Sequence, residues 1–339
     1  MSEKQSGFEV QTSQRQSWLS IAAVWAGGMI CVPCLMIGGV LSGGGLSLAE
    51  IVISILIGYG LICVYMIFIG MQACDTGLPV AVMASGALGE KGARYVISTL
   101  IAIACIGWFG IQSATCGQAF ATMTAPLLGM EATTGFVAVC SIIWGAIMLA
   151  TACAGFKGLK WLNYIAVPLL VIVCLYGLIA LVLATWTTNV TNAYSGGLAL
   201  SNLLGFDESK FKITTGISGA IGTLLAAFGL LNSSQGFLSL MSALIPPLAG
   251  VIIAAYWITG KGKKENFYFS KGVSAAGLIS FLVGALVACI TGGTFASFPG
   301  LVEAVPFLNT PFFVGPVNGI VVSLVLYVIL AAAFPKKAN

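Results

Sequence analysis

The chain has 339 residues, 59% of them hydrophobic and 7% charged, with a net charge of +4 and a mean hydropathy of +1.05. A soluble domain carries about 25% charged residues, so this composition excludes one and points to an all-α polytopic membrane protein with apolar runs long enough for a ~30 Å core. Histidine is absent, which removes His-based triads and the usual zinc sites, and the basic residues are too scattered to form a nucleic-acid patch.

Residues 1–17 are polar and mixed in charge and read as a cytoplasmic tail without a cleavable signal. Apolar spans follow near 18–42, 47–73, 95–122, 133–154, 161–186, 213–231, 237–258, 272–291 and 311–334. They frame one transmembrane domain over 18–335, with nine or ten crossings, and a short cytoplasmic tail at 336–339. In the first span, Gly27-Gly28, Pro33, Gly38-Gly39 and Gly43 to Gly45 interrupt the apolar run. Transporters use such broken helices to free backbone carbonyls for cations. An unwound stretch here would offer carbonyls near Gly27 and Ile30. Close helix packing through small residues is the alternative use of the glycine pairs.

The third span places Trp108, Gln112 and Thr115 at i, i+4 and i+7, on one helical face. Tryptophan offers a flat stacking surface, and the glutamine amide presents a donor and an acceptor. A planar heterocyclic amide suits that pair; an interior Trp with a Gln bonded between helices is the alternative. Pro246-Pro247 marks a further break or a simple kink in the span near 237–258. The ten cysteines lie mostly inside apolar runs and read as small hydrophobes. Glu50, Glu131 and Glu303 sit in loops, so no carboxylate relay is evident. Cation coupling would rest on carbonyls and hydroxyls, which favours Na+ over a protonatable site.

The basic residues fall in alternate loops, which the positive-inside rule places in the cytoplasm together with both termini. Lys160 and Lys210 are then on one side, and the chain between them crosses an even number of times. Residues 161–186 make one crossing. The return falls to 187–204, where ten of eighteen residues are Thr, Asn, Ser or Gly. Sidedness requires a span there and hydropathy disfavours it.

GWFGIQ at 107–112, the glycine-rich first span, WTTN at 186–189 and SALIPPLAGVIIAAY at 242–256 together resemble the nucleobase–cation symporters, the purine/cytosine permeases, and within them the cytosine subgroup. The resemblance implies a five-plus-five inverted-repeat transporter fold with two extra C-terminal spans, and a substrate and cation held between spans 1, 3, 6 and 8. It implies a cell-membrane permease, not an enzyme, importing cytosine or a related nucleobase with Na+ or H+ as coupling ion and no resident cofactor. Its partners are the nucleobase, Na+ and the lipid bilayer. Trp108 would stack on the base, with Gln112 and Thr115 beside it. Gly27 and Ile30 would give backbone carbonyls, and Thr187, Thr188 and the adjoining Asn189 side chains, to Na+. The chain departs from the family at Cys105, Ala184 and Ala255, where an amide, an Asn and an Asp are common.

The resemblance also has a gap. Trp161 to about Leu178 is similar to family span 5, and Ala184 onward to the second half of span 8. About three spans of the second repeat are missing, with a junction near 178–184, and with them the second aromatic wall of the pocket. Impaired transport is the expectation. The alternatives are a permease for a hydantoin, allantoin, uracil or a purine, and a non-transporting remnant or a subunit completed by another chain.

Overall fold

The computed structural model describes residues 9–29, 32–173, 178–230, 234–267 and 272–334, and among these it is helical with no strand. The first span is described in two helical stretches, α1 (Trp18–Met29) and α2 (Val32–Gly43), and Gly27-Gly28 and Gly38-Gly39, expected to interrupt it, lie within them. Next come α3 (Leu48–Thr76) and α4 (Ser98–Thr124), the latter entered through a π-helical turn at Ala93–Ile97. Then come α5 (Thr134–Cys153), α6 (Gly155–Val173), α7 (Leu178–Leu204) and α8 (Phe211–Ala227). The last are α9 (Ser234–Ile253), α10 (Ala275–Thr291) and α11 (Gly315–Ala333). Five described helical stretches are long and apolar enough to cross a membrane: Leu48–Thr76, Glu90–Thr124, Thr134–Cys153, Gly236–Thr259 and Gly315–Ala333.

The chain divides into two compact units, each built from separated pieces of sequence. One comprises Thr12–Ile57 and Ile101–Ser234. Here α7 lies against α1, α5, α6 and α8, and α5 packs on α8. Small residues let the backbones approach. A methyl group at Gly222 would sit 2.8 Å from the Ile106 carbonyl, and one at Gly197 would sit 2.8 Å from Thr215 Cα.

The polar stretch 187–204 is helical throughout, as part of α7. The expected boundaries are wrong, however: the apolar run 161–186 is not one crossing. It is divided between α6, described to Val173, and α7, described from Leu178. Asn163, ten residues before the end of α6, and Thr187, nine after the start of α7, both reach Gly27 of α1. Two packed helices meet the same residue in that register only if α7 runs back along α6. Hydropathy is uniform across this division and hides it. The polar side chains of α7 survive at this depth because protein surrounds them: Thr185, Thr187, Asn189 and Ser201 are fully buried.

The other unit comprises Met1–Gln11, Gly58–Leu100 and Gln235–Asn339. Its centre is the pair α10 and α11, where Gly284 meets the Gly319 carbonyl and the Ser323 side chain. The expected break at Pro246-Pro247 is absent: α9 continues through both prolines to Ile253 and only then widens into a π-helical turn, Ala254–Thr259. Gly319 leaves room for the Pro247 ring, and Ser323 donates to the Pro247 carbonyl at 2.8 Å. Lys264 pairs with Glu9 at 3.2 Å, which puts the N-terminal segment and the loop after α9 at the same end of this unit.

Two helices are packed differently from the rest. Only 6% of the most apolar stretch of α3 is buried. Among the described residues, no atom from beyond the local helix backbone comes within 4 Å of where a side chain would begin at the glycines of α2 and α3 (Gly38, Gly39, Gly43, Gly58, Gly60 and Gly70).

Candidate substrate and cation site

The last described turn of α1 carries Gly27 and Gly28, the two glycines whose carbonyls form the site. The Thr187 hydroxyl donates to the Gly27 carbonyl at 2.7 Å and also lies 3.0 Å from the Ala184 carbonyl. The Thr188 hydroxyl lies 3.0 Å from the Gly28 and Ala184 carbonyls and 3.5 Å from that of Gly27. Three carbonyls therefore share two hydroxyl protons. The result is a cluster of five neutral oxygens with lone pairs to spare, the donor set that a hard cation of low charge prefers. Among the described residues no cluster of His, Cys, Asp or Glu offers a rival metal site.

The structure thus brings Gly27, Thr187 and Thr188 together. Ile30 lies outside the described residues. Asn189 does not join the cluster through its side-chain nitrogen: Nδ2 donates to the Phe109 carbonyl at 3.1 Å, to Ser113 Oγ at 3.0 Å and to Met148 Sδ at 3.1 Å. One residue on from Thr188, it is turned by about 100° around the helix, and there it fastens α7 to α4 and α5. The Ala184 carbonyl was overlooked by sequence reasoning. Its signal was the helical spacing, since threonines at i+3 and i+4 commonly bond back to the carbonyl at i.

Trp108, Gln112 and Thr115 lie along α4, Trp108 and Thr115 half-buried and Gln112 fully buried. The Thr115 hydroxyl donates to the Ile111 carbonyl at 2.8 Å. Neither the oxygen nor the nitrogen of the Gln112 amide has a hydrogen-bond partner among the described residues. A buried amide left with both ends unpaired is costly, about 1–3 kcal/mol, and such a group is poised for a partner that brings one donor and one acceptor.

Comparison with known proteins gives the family and the fold. The family model for permeases of cytosine/purines, uracil, thiamine and allantoin matches residues 9–185 and 170–315. The chain belongs to this family. As a permease with several apolar helices it is a multi-pass membrane protein. It is 24% identical over 367 aligned positions to cytosine permeases of Escherichia coli K12, O6:H1 (strain CFT073) and O157:H7, covering 78% of this chain and 83% of each relative. Its fold is that of Mhp1, a nucleobase-cation-symport-1 family transporter, in a closed conformation with bromovinylhydantoin bound: the TM-score is 0.75 at 17% identity, over 100% of this permease and 98% of that chain. The inward-facing conformation of Mhp1 aligns with a TM-score of 0.61 at 16% identity, over 94% and 91% of the two chains.

The two family matches meet at 170–185, where they overlap. The alignment to the cytosine permeases uses 78% of 339 residues, about 264, against 367 aligned positions, so about 100 positions of that alignment face a gap in this permease.

Proposed function

We propose that this permease binds a nucleobase, cytosine first among them, together with Na+, and moves both inward across the cell membrane as a secondary transporter. The observation that carries the reading is the oxygen cluster of Gly27, Gly28, Ala184, Thr187 and Thr188. It is uncharged, it joins α1 to α7, and α7 is fastened through Asn189 to the helix that carries Trp108 and Gln112. Na+ in the cluster turns the threonine oxygens toward the ion and ties α1 to α7. Trp108 stacks on the planar base, and the Gln112 amide supplies the donor and acceptor that the edge of a cytosine, uracil or hydantoin ring requires. No step of this reading makes or breaks a covalent bond, so it is transport and not enzymology. Both termini face the cytoplasm on the distribution of Lys and Arg.

The chain lacks about three spans of the second repeat, joined near 178–184. The family match in two pieces meeting at 170–185 supports this, as do the exposed α3 and the open glycines of α2 and α3. Glycine faces in membranes are ordinarily met by another helix. Transport is accordingly impaired relative to a full-length relative. The test is uptake of radiolabelled cytosine into proteoliposomes, with unlabelled uracil, hydantoin, allantoin and adenine as competitors. Weak uptake restored toward the level of an E. coli cytosine permease by resupplying the missing spans supports the reading; full uptake by the chain as it stands overturns the impairment.

The same open glycines favour a second reading, a subunit whose pocket is completed by another chain. Stable co-purification with a full-length permease supports it, and a monomer that binds cytosine alone argues against it.

A further inference from the structure

Asn163 of α6 is fully buried, and its side chain is only half used. Nδ2 donates to the Leu159 carbonyl at 2.8 Å, one turn back on its own helix. Oδ1 has no hydrogen-bond partner among the described residues. That oxygen lies hard against the backbone of Gly27: a methyl group at Gly27 would overlap it and would stand 2.6 Å from Asn163 Cγ. Gly27 is the residue whose carbonyl accepts from Thr187. Because Nδ2 is held by its own helix, the amide is oriented with its oxygen toward α1. An unpaired acceptor at this depth is costly, and a cation beside the Gly27 carbonyl relieves the cost.

We propose that Asn163 is a specificity-determining residue of the cation site, its Oδ1 adding a third helix, α6, to the oxygen set of α1 and α7. This rests on the Na+ site read above and goes beyond it, since neither the first-span carbonyls nor the WTTN motif involves α6. Two further features follow from the position. Gly27 must remain glycine, because Oδ1 occupies the space of a side chain. And Na+ binding draws α6 toward α1, adding to the contact already made by Tyr164 Oη and Ser20 Oγ at 2.9 Å.

The experiment is direct binding of radiolabelled 22Na+ to the purified full chain, with Li+ and K+ as competitors, for the wild type and for Asn163→Ala, Asn163→Asp and Thr187→Ala. The monodispersity of each variant is checked by size exclusion. Asn163→Ala is expected to weaken Na+ at least tenfold and to change the Na+/Li+ preference. Asn163→Asp is expected to tighten Na+ and make its affinity fall as the pH drops through the carboxylate range, a dependence that a purely structural residue would not acquire. If Thr187→Ala abolishes binding while both Asn163 variants keep wild-type affinity, ion preference and pH profile, this inference is wrong and the site stands. If the wild type does not bind Na+, the site itself fails and the inference with it. Should Asn163→Ala prove aggregated, the Asn163→Asp pH profile decides alone.

Discussion

Thr187 Oγ1 donates to the Gly27 carbonyl at 2.7 Å, joining residues 160 apart in sequence and placing a polar helix against an apolar one. The hydroxyl gives the Gly27 carbonyl a side-chain donor, and α7 gains a buried partner for a side chain that lipid would not tolerate. The same contact is the core of the oxygen cluster.

Removing either hydroxyl takes one oxygen from the cluster. Thr187→Ala and Thr188→Ala are each expected to weaken Na+ by at least about tenfold, close to the 1.4 kcal/mol that one hydrogen-bonding group typically represents. Thr188→Ser keeps the oxygen and should remain within about threefold of the wild type. Titration of Na+ followed by intrinsic tryptophan fluorescence checks both.

Nothing in the cluster ionises near neutrality. It consists of backbone carbonyls and threonine hydroxyls, and the chain has no histidine. The apparent affinity for Na+ should therefore be flat between about pH 6 and about pH 8, the range in which a histidine would titrate. A Na+ titration repeated across that range measures it, and competition by protons would point to an ionisable group elsewhere.

Glycines that look alike in sequence differ in their surroundings. Gly197→Ala forces a methyl group onto Thr215 and should destabilise the fold by about 1–3 kcal/mol, the usual cost of overpacking. Gly60→Ala meets open space within α3 and should be neutral or stabilise by up to about 1 kcal/mol through helix propensity. Thermal midpoints in detergent distinguish them. Destabilisation by Gly60→Ala only when a full-length permease is present would identify α3 as the face that a partner covers.

Asn189 holds α7 to α4 and α5 through one amide nitrogen. Asn189→Leu leaves the Ser113 hydroxyl and the Phe109 carbonyl without that donor, and the expected loss is about 1–3 kcal/mol of stability. The thermal midpoint should fall further than the affinity for Na+, since the amide nitrogen serves the packing of α7 and not the cluster.

Much of this was legible before any coordinates. The i, i+4, i+7 spacing set Trp108, Gln112 and Thr115 on one stripe of α4, whereas Gly27-Gly28 and Gly38-Gly39, read as interruptions, lie inside helices. The WTTN motif pointed to Thr187 and Thr188. What stayed hidden depends on three-dimensional neighbours. Hydropathy is uniform along 161–186, so it does not show that Asn163 and Thr187 stand on two helices that meet the same residue, Gly27. A carbonyl belongs to every residue, so nothing in the letter Ala184 marks its part in the cluster. Asn163 reads as one polar residue in an amphipathic helix until Gly27 is seen against it. The prolines at 246 and 247 suggested a break because their cost is local, whereas the room made for them by Gly319 is contributed from seventy-odd residues away.

The central claim is that a nucleobase and Na+ bind to this chain together. Equilibrium binding of radiolabelled cytosine to the purified protein, with Na+ and with choline in its place, tests it most directly. The account predicts that Na+ tightens cytosine binding at least tenfold, that Thr187→Ala removes the Na+ effect, and that Trp108→Ala removes binding itself. Cytosine binding of equal strength in Na+ and in choline, or binding untouched by Trp108→Ala, would contradict it.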